Sequence, residues 1–476
     1  MKLNEIYGSI ENPLDDPNVM RKLISIYSKI GSDSSIQKPL DDYFYEMLVK
    51  TTSKDNVYKD NRKFSDRFYS MMFNKWKDSI TSMSRAEFDK LFTQGDYGKD
   101  FIEMRNFLIN VANVSTWADM ANILSSNENL KNAFHNYMWY TTYDDTWKHV
   151  KSSRVTANKN NLSSVEHRLY LNLESTDIHQ MLIYFVEKCS KYNLPYYFKF
   201  AEAGNRDDTV VIYSSTKYLA EYIDVLMEIK NEHPEFVSSV KAPPILTGKI
   251  DGWIGYGSEP GLTPDGKKTS FNSIRTKAII SSMDDSIKDW LISNSERTIM
   301  YMNEEMSCIE YIARISIENL INGLKSEFLR RENHEKRVAE KGKRLYSPED
   351  LEREMGYSLQ WIESSVFKET ILEQLRCSIP KAVSILSKGG EFDDIPKMYI
   401  KLKNNSRKCV FSGDKLRGVM RKQARSIAKE DSTFVSLVRD NLKKSAPKWG
   451  IDSEKYCFDI KSKEMIERGT IKSKLH

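Results

Sequence analysis

The hydrophobic period of this chain changes near residue 165, and this change limits the possible folds more than any other feature. Before it, segments such as "DPNVMRKLISIYSKI" and "SRAEFDKLF" place apolar residues at helical spacing behind an Asp cap and a Ser-x-x-Glu capping box. After it, "RLYLNL" (residues 168–173) alternates strictly between apolar and polar residues, which indicates a strand. The chain therefore combines a helical region with a region that forms a sheet.

The segments after residue 165 predict the order strand, helix, strand, strand, helix. "YYFKF" and "TVVIY" are typical of strands, whereas "STDIHQMLIYFVEKCSKYN" and "SSTKYLAEYIDVLMEIKNEH" have helical spacing. This order is typical of an α+β or α/β layer. The glycine- and proline-rich run 242–271 predicts a long irregular loop, and such loops often border functional sites.

The domain organisation expected from these patterns has three parts. Residues 1–150 form an N-terminal helical domain without a convincing strand, and an Asn/Ser-rich linker follows at 151–164. Residues 165–282 form a small mixed sheet–helix domain, and residues 283–476 form a second mainly α-helical domain that includes a "SPED" helix start. The predicted fold class is α+β, with the mixed domain between two helical ones.

Composition excludes several classes of protein. Hydrophobic residues make up 40% of the chain and aromatic residues 11%, which is enough for packed cores and argues against a wholly disordered chain. No apolar run approaches the roughly 20 residues that a membrane span needs. The first residues, "MKLNEIYGSIENPLDDPNV", lack the apolar core of a signal peptide. We expect a cytoplasmic protein, or one exported by a non-classical secretion system.

Cysteine and histidine spacing predicts no metal and no cofactor. The chain has five cysteines without a C-x-x-C pair, and seven histidines without an H-E-x-x-H motif. Reduced thiols are therefore expected rather than a zinc site or a disulfide framework. The dispersed cysteines are Cys189, Cys308, Cys377, Cys409 and Cys457.

A polar face is predicted on the sheet, because side chains alternate across a strand. If the three strands are neighbours, their basic and phenolic residues share one side. A turn and the region after the glycine-rich loop add two arginines. The predicted set is Arg168, Tyr170, Asn172, Lys199, Arg206, Tyr213 and Arg275. Arginines supply forked donors for phosphate or carboxylate, and an amine crowded by arginines loses proton affinity and can act as a base. The alternative is the ordinary solvated face of an antiparallel sheet.

The same region resembles the HopA family of type III secretion effectors and the related lyase components of class V lanthipeptide synthetases. The segments that carry the resemblance are "RLYLNL", "FKF", "NRDDTVVIY", "PPILTGKIDGWIGYGSEP" and "SFNSIRTKAI", within residues 165–282. The resemblance implies a fold similar to the phosphothreonine lyases, which remove phosphate from phosphothreonine by β-elimination. It covers under a third of the chain and does not extend to the flanking regions.

The resemblance also implies roles for individual residues. Lys199 would be the base that takes the α-proton, Tyr213 would orient the substrate, and three arginines would hold the phosphate: Arg168, Arg206 and Arg275. Where the lyases carry a histidine on the first strand, this chain has Tyr170, whose unperturbed pKa of about 10 makes it a weaker proton donor at neutral pH. Strand alternation points His167 away from Arg168. Asn172 is a further candidate for substrate binding, and Glu259 is either a site residue or a cap for its loop.

A strongly basic segment lies in the C-terminal region. Residues 397–429 contain eleven lysines and arginines against one acid, Asp414. Within it, "GDKLRGVMRKQARSIAKED" has the spacing of a basic amphipathic helix that could bind nucleic acid, an acidic protein or an anionic membrane surface. The residues expected to contact such a partner are Arg417, Arg421, Lys422 and Arg425. The alternative is the solvated face of a docked helix.

The sequence thus leaves three functions open. The first is a HopA-like lyase that eliminates phosphate from phosphorylated Ser or Thr of a protein or peptide. The second is a binding or effector protein that keeps the phosphate pocket without turnover. The third is a nucleic-acid-associated protein that acts through the basic C-terminal segment.

Overall fold

A computed structural model describes most of the chain. The described residues are 14, 16–32, 40–49, 62–93, 108–109, 113–125, 131, 139–140, 147–151, 166–174, 177–192, 194–201, 206–238, 241–258, 270–301, 304–340 and 347–449.

The chain divides into two compact units. Unit 1 comprises Met1–Val19, Tyr45–Thr276 and Ala446–His476, and unit 2 comprises Met20–Phe44 and Lys277–Ser445. The division into three domains that the sequence suggests stays a prediction.

Helices account for most of the regular structure. In chain order they are α1 (Pro17–Ser32), α2 (Leu40–Val49), α3 (Arg62–Thr81), α4 (Arg85–Thr93), α5 (Trp117–Ser125), α6 (Ile178–Lys191), α7 (Thr216–Glu232), α8 (Pro234–Ser238), α9 (Phe271–Asn294), α10 (Cys308–Ala339), α11 (Pro348–Met355), α12 (Leu359–Glu363), α13 (Ser365–Ser387), α14 (Gly413–Glu430) and α15 (Ser432–Ser445). Short 3₁₀ turns occupy Phe392–Asp394 and Ala446–Trp449.

A seven-stranded antiparallel sheet forms the centre of unit 1. Its strand order is β1-β2-β4-β5-β3-β7-β6. The strands are β1 (Trp139–Tyr140), β2 (Trp147–Lys151), β3 (His167–Leu171), β4 (Tyr197–Ala201), β5 (Val210–Ser214), β6 (Gly248–Ile250) and β7 (Ile254–Ser258). Mixed helix and sheet confirm the α+β class, and β3, α6, β4, β5 and α7 follow one another in the predicted order.

Four of these strands correct the sequence-based prediction. β1 and β2 precede residue 165, where no strand was expected, because β2 ("WKHVK") has only one aliphatic residue, Val150, to mark its buried face. β6 and β7 lie inside the run 242–271, which was predicted to be irregular. Glycine hides the strand signal there: a Cβ atom at Gly255 would lie 2.6 Å from Thr247 Oγ1, so the close packing of β7 excludes the residues that usually mark a strand.

The two faces of the sheet differ as the alternation predicts. Leu169, Leu171 and Leu173 are buried, together with Phe198 and Ile212 from neighbouring strands, in a core that also takes apolar residues of α6 and α7. Burial of this face stabilises the sheet, at about 25 cal/mol per Å² of apolar surface removed from water. The opposite face therefore remains for the polar residues.

Two helices begin where the capping signals in the sequence predict. Ser84 and Glu87 form the predicted capping box, in which the Ser84 N–H donates to Glu87 Oε2 at 2.7 Å and the Glu87 N–H donates to Ser84 Oγ at 3.3 Å. Ser347 caps α11 in the same way with Asp350, and Gly356 ends that helix at a φ of +77°, where glycine is favoured.

Unit 2 is mainly helical and carries two β-hairpins. Its longest helix, α10, packs against α13 and α14. The first hairpin joins β8 (Thr298–Tyr301) to β9 (Glu304–Ser307), and the second joins β10 (Met398–Lys401) to β11 (Arg407–Phe411). Within the described ranges, no helix is both long enough and apolar enough to cross a membrane.

Candidate functional site

The strand register brings the predicted polar residues onto one face of the unit 1 sheet. Arg168 of β3 lies opposite Tyr213 of β5, and Tyr170 lies opposite Val211, which in turn lies opposite Lys199 of β4. Because directly paired residues share a face, this arrangement confirms the predicted common side. We call it the polar face. It continues onto β2, whose His149 lies opposite Lys199.

Trp147 of β2 is the contact point for two of the predicted cations. Lys199 Nζ lies 4.0 Å from the centroid of its ring, and the guanidinium carbon of Arg206 lies 4.7 Å from the same centroid. Cation–π contacts with tryptophan are the strongest of their kind, at about 1 kcal/mol each where solvent is partly excluded. The structure therefore brings Lys199 and Arg206 together through an aromatic residue outside the predicted set.

A series of aromatic contacts links Arg168, the third predicted cation of this face, to His149 of β2. The Arg168 guanidinium lies 5.2 Å from the Tyr213 ring centroid, and the Tyr213 ring stacks on Tyr197 at 4.5 Å. The Tyr197 hydroxyl in turn lies 3.0 Å from Nδ1 of His149. Arg168, Tyr213 and His149 are thus joined by one series of side-chain contacts.

His149 is the functional candidate that sequence reasoning missed. It is 7% exposed and faces Lys199 across neighbouring strands, at a Cα separation of about 5 Å. The signal was present in "WKHVK", where Trp147, His149 and Lys151 alternate with Lys148 and Val150. Because only one aliphatic residue occurs in this strand, hydrophobic periodicity does not detect it.

Arg206 is held by a carboxylate and a phenol of unit 1. Its Nε donates to Asp208 Oδ1 at 2.8 Å, and its Nη2 donates to Asp208 Oδ2 at 3.3 Å and to the Tyr45 hydroxyl at 3.2 Å. Burial acts to lower the pKa of Arg206, but the Asp208 carboxylate more than offsets it, and the pKa lies above its usual value. Arg206 is therefore a charge-compensated group, better suited to positioning Trp147 than to clamping an anion.

Tyr170 and Asn172 lie where a loop covers the polar face. The Asn172 amide donates to the Ala242 carbonyl at 2.8 Å, and the Lys241 N–H donates to the Asn172 carbonyl at 3.0 Å. Tyr170 is 2% exposed and lies beside Gly255 and Pro243, which the missing Cβ of Gly255 allows to approach. These contacts give Asn172 a structural role in anchoring the loop, and they remove Tyr170 from solvent.

Two further predicted site residues are Arg275 and Glu259. Arg275 lies in the second turn of α9 and is 3% exposed. Glu259 lies outside the described residues. The structure therefore assembles Lys199, Arg168 and Arg206 on the polar face, while a role for Arg275 or Glu259 stays a prediction.

The electrostatic balance of the polar face is cationic. Lys151, which ends β2 on this face, adds a fourth basic side chain, and burial lowers the pKa of its amine. Among these cations, Arg206 contacts the Asp208 carboxylate. Burial and the Asp208 carboxylate also raise the pKa of Tyr45, which keeps that phenol neutral. Such a face attracts anions.

Metal ions have no evident place here. Across the ranges that the structure describes, no group of three or more His, Cys, Asp or Glu side chains is arranged to hold one. Apart from His149 and Asp208, the ionisable side chains described on the polar face are cationic or phenolic, and they suit an anionic ligand.

Several cations of the basic helix α14 have partners within unit 2. Arg421 donates from Nε and Nη2 to the two oxygens of Asp284 at 2.8 and 2.6 Å, and Arg417 pairs with Asp393. Lys422 donates to the Asn319 side chain at 3.0 Å, whereas Arg425 is exposed. Three of the four residues predicted to contact an anionic partner therefore have internal partners, which favours the structural interpretation of this helix.

Fold and site together define an α+β protein with a cationic and aromatic face on an antiparallel sheet. No family model matches the sequence, and no curated protein matches it. The HopA resemblance thus remains an expectation drawn from the residues themselves, and function has to be argued from the polar face.

Proposed function

We propose that this protein is a phosphate-eliminating lyase that acts on phosphorylated Ser or Thr of a protein or peptide, with its site on the polar face. The observation that carries the proposal is the pairing of His149 with Lys199 on neighbouring strands of a face that also holds Arg168. A β-elimination needs a base, a proton donor and a cation for the leaving phosphate. This face offers one candidate for each.

In the proposed reaction, Lys199 Nζ removes the α-proton of the phosphorylated residue. The electron pair of that C–H bond forms the Cα=Cβ double bond, and the Cβ–O bond breaks with its electrons leaving on phosphate. The base must begin uncharged, and partial burial of the Lys199 amine against the Trp147 indole would favour this state, since Asp208 compensates the charge of Arg206 on the same ring. Arg206 thereby supports the indole on which Lys199 lies without touching the substrate.

His149 is the proposed proton donor to the leaving phosphate. Its Nδ1 lies against the Tyr197 hydroxyl, which fixes the ring and leaves Nε2 as the nitrogen that would donate. This assignment supplies the histidine that the sequence reading lacked on the first strand, and it releases Tyr170 from that role. Arg168, whose side chain is half-buried, would hold the phosphate while Tyr213 keeps its guanidinium in place.

Mass spectrometry of a phosphothreonine peptide incubated with the protein tests the proposal. The product should be lighter by one phosphoric acid and should contain a dehydroamino acid. Lys199→Ala and Lys199→Arg should both abolish turnover, since arginine keeps the charge but cannot serve as the base. His149→Gln should slow it about 10²- to 10⁴-fold. Tyr170→Phe and Lys249→Ala, the second an exposed lysine of edge strand β6, should leave it unchanged.

Two outcomes would contradict this proposal. Release of phosphate with regeneration of threonine would identify a hydrolase. Binding of the peptide with no change in mass would support the second candidate, a phosphopeptide-binding protein without turnover. The observation that favours that candidate is the bidentate Asp208 contact of Arg206, which leaves fewer guanidinium donors for a substrate. Calorimetry with the same peptide would then show weaker binding on Arg168→Ala.

A further inference from the structure

A second cationic surface lies on the β10–β11 hairpin of unit 2, which directly precedes helix α14 in the chain. In this hairpin Tyr399 lies opposite Cys409 and Lys401 lies opposite Arg407. Since residues two apart on a strand share a face, Tyr399, Lys401 and Arg407 lie on the same side. We call this side the outer face of the hairpin. The other side carries Ile400 and Lys408, and Lys408 pairs with Glu327 of α10.

The outer face differs from α14 because its charges are not compensated. Residues 396–413 contain five basic residues and no acid. Four of the five are exposed and form no ion pair with any other residue that the structure describes; they are Lys397, Lys401, Lys403 and Arg407. Two like charges directly opposite each other destabilise a strand pair. A local cost of this kind is expected where function requires the charges.

An aromatic ring stands among these cations. Tyr399 is 50% exposed, which is unusual for a large side chain on a strand. It lies two residues from Lys401, a separation of about 6.6 Å along an extended strand. The surface therefore offers a flat ring next to positive charges on a single accessible side.

The hairpin is also held in a fixed position. The Lys403 N–H donates to the Gly356 carbonyl at 3.0 Å, and the Asn404 amide donates to the Glu354 carbonyl at 2.7 Å. Within the turn, the Leu402 N–H donates to the Ser406 carbonyl at 2.9 Å. These bonds fix the turn to the end of α11, so the outer face is organised before any partner arrives, and binding does not have to pay for its ordering.

We propose that the outer face of the hairpin binds single-stranded nucleic acid, with phosphates on Lys401 and Arg407 and a base stacked on Tyr399. Cations that follow the backbone, combined with an exposed aromatic ring, are the recurring elements of sequence-tolerant single-strand binding. An anionic membrane would favour a broader apolar surface than one ring. An acidic protein would need the cations but not the exposed ring. The proposal concerns a surface separate from the polar face and is independent of lyase activity.

Fluorescence anisotropy of a labelled oligothymidylate with the full-length protein tests this proposal across a salt series. The double substitution Lys401→Ser, Arg407→Ser should reduce the slope of log K against log salt by about 1.4, because each lost single-strand phosphate contact contributes about 0.7. Tyr399→Ala should weaken binding about tenfold, and Tyr399→Phe should restore it. Lys381→Ser with Lys388→Ser removes the same charge from exposed positions on and just after α13 and should leave the slope unchanged.

Three results would overturn the proposal. The first is an absence of oligothymidylate binding by the unaltered protein at low salt. The second is an equal change in salt slope for the hairpin and α13 double variants, which would indicate a diffuse charge effect. The third is binding to phosphatidylserine vesicles, but not to the oligonucleotide, that depends on Tyr399; this would assign the surface to membranes. Circular dichroism of each variant checks that the hairpin substitutions leave the fold intact.

Discussion

The polar face of unit 1 and helix α14 of unit 2 are both rich in basic residues, but their cations have different neighbours. On the polar face, Lys199 lies on Trp147 and Arg168 lies on Tyr213, while Arg206 lies on Trp147 and is also paired with Asp208. On α14, Arg421 and Arg417 form ion pairs with Asp284 and Asp393. Aromatic rings position a cation without neutralising it, whereas carboxylates cancel its field.

This difference shows that a run of basic residues in a sequence does not by itself locate a binding surface. In α14, the stretch with the densest positive charge contributes to packing, because Asp284 also accepts a hydrogen bond from the buried Tyr27 at 2.5 Å. Burial and Asp284 raise the pKa of Tyr27 well above its usual value, so the phenol stays a donor. The contacts of each cation, rather than their number, separate a site from a structural element.

The largest effect is expected from breaking the structural cluster of unit 2. Arg421→Ala leaves Asp284 with a charge that is mostly shielded from solvent and lacks its guanidinium, and we expect the free energy of unfolding to fall by about 3 kcal/mol. Urea denaturation followed by circular dichroism measures this change. Arg425→Ala, an exposed residue of the same helix, should change it by less than about 0.5 kcal/mol. Equal effects of the two variants would remove the distinction between paired and exposed cations on α14.

The next effect concerns the ion pair between Arg206 and Asp208 on the polar face. Asp208→Asn should lower the free energy of unfolding by about 2 kcal/mol, because Arg206 then keeps a largely buried charge without its carboxylate. Inorganic phosphate should restore part of that stability, since an anion that binds the folded state shifts unfolding by mass action. Thermal unfolding with and without phosphate checks this. Chloride at matched ionic strength is the control, and an equal response to both salts would argue against a specific anion site.

A smaller effect should follow from replacing the ring that carries two cations. Trp147→Phe should weaken phosphate binding about fivefold, corresponding to about 1 kcal/mol of lost cation–π interaction. Trp117→Phe offers a matched loss of aromatic area in the same unit, because Trp117 contacts Phe88 edge-on. Calorimetric titration with phosphate compares the two. If both variants bind phosphate as the unaltered protein does, the indole has no part in holding the site.

The smallest predicted effect is the pH dependence of the ion pairs that Glu310 of α10 forms in unit 2. Hydrogen bonds from Arg376, together with Arg314, hold the pKa of Glu310 below its usual value against the opposing effect of burial. The stability that these pairs contribute is therefore complete above about pH 4.3, the unfolded value, and is lost as pH falls through the folded pKa.

Glu310→Gln removes this titration. Between pH 7 and pH 3 the unaltered protein should lose about 0.5 kcal/mol more stability than the variant. Denaturation curves at both pH values measure the difference, with Glu296→Gln, an exposed residue before β8, as the control. A steeper acid loss in Glu310→Gln than in the unaltered protein would reverse the expected sign.

Much of the fold could be predicted from short-range pattern. The alternation in "RLYLNL" predicted the buried leucines and the opposite placement of Arg168 and Tyr170, and local capping signals located the starts of α4 and α11. The strands that the sequence did not predict lack this alternation of apolar and polar residues. β2 is basic and aromatic on its outward face, and β7 contains glycines where close packing leaves no space for a side chain.

The amino-acid sequence by itself determined that this chain is α+β, that Arg168 points to the opposite side of its strand from the buried leucines, and that residues 397–429 are strongly basic, because these properties depend on neighbours along the chain. Tertiary structure alone decided which strands lie side by side, which carboxylates reach which cations, and where loops cover the sheet. These features depend on contacts between residues that are far apart in the sequence. His149 and Lys199 are separated by about 50 residues, and Asp284 and Arg421 by more than 130. No local pattern encodes such pairings, since they form only when the whole core is packed.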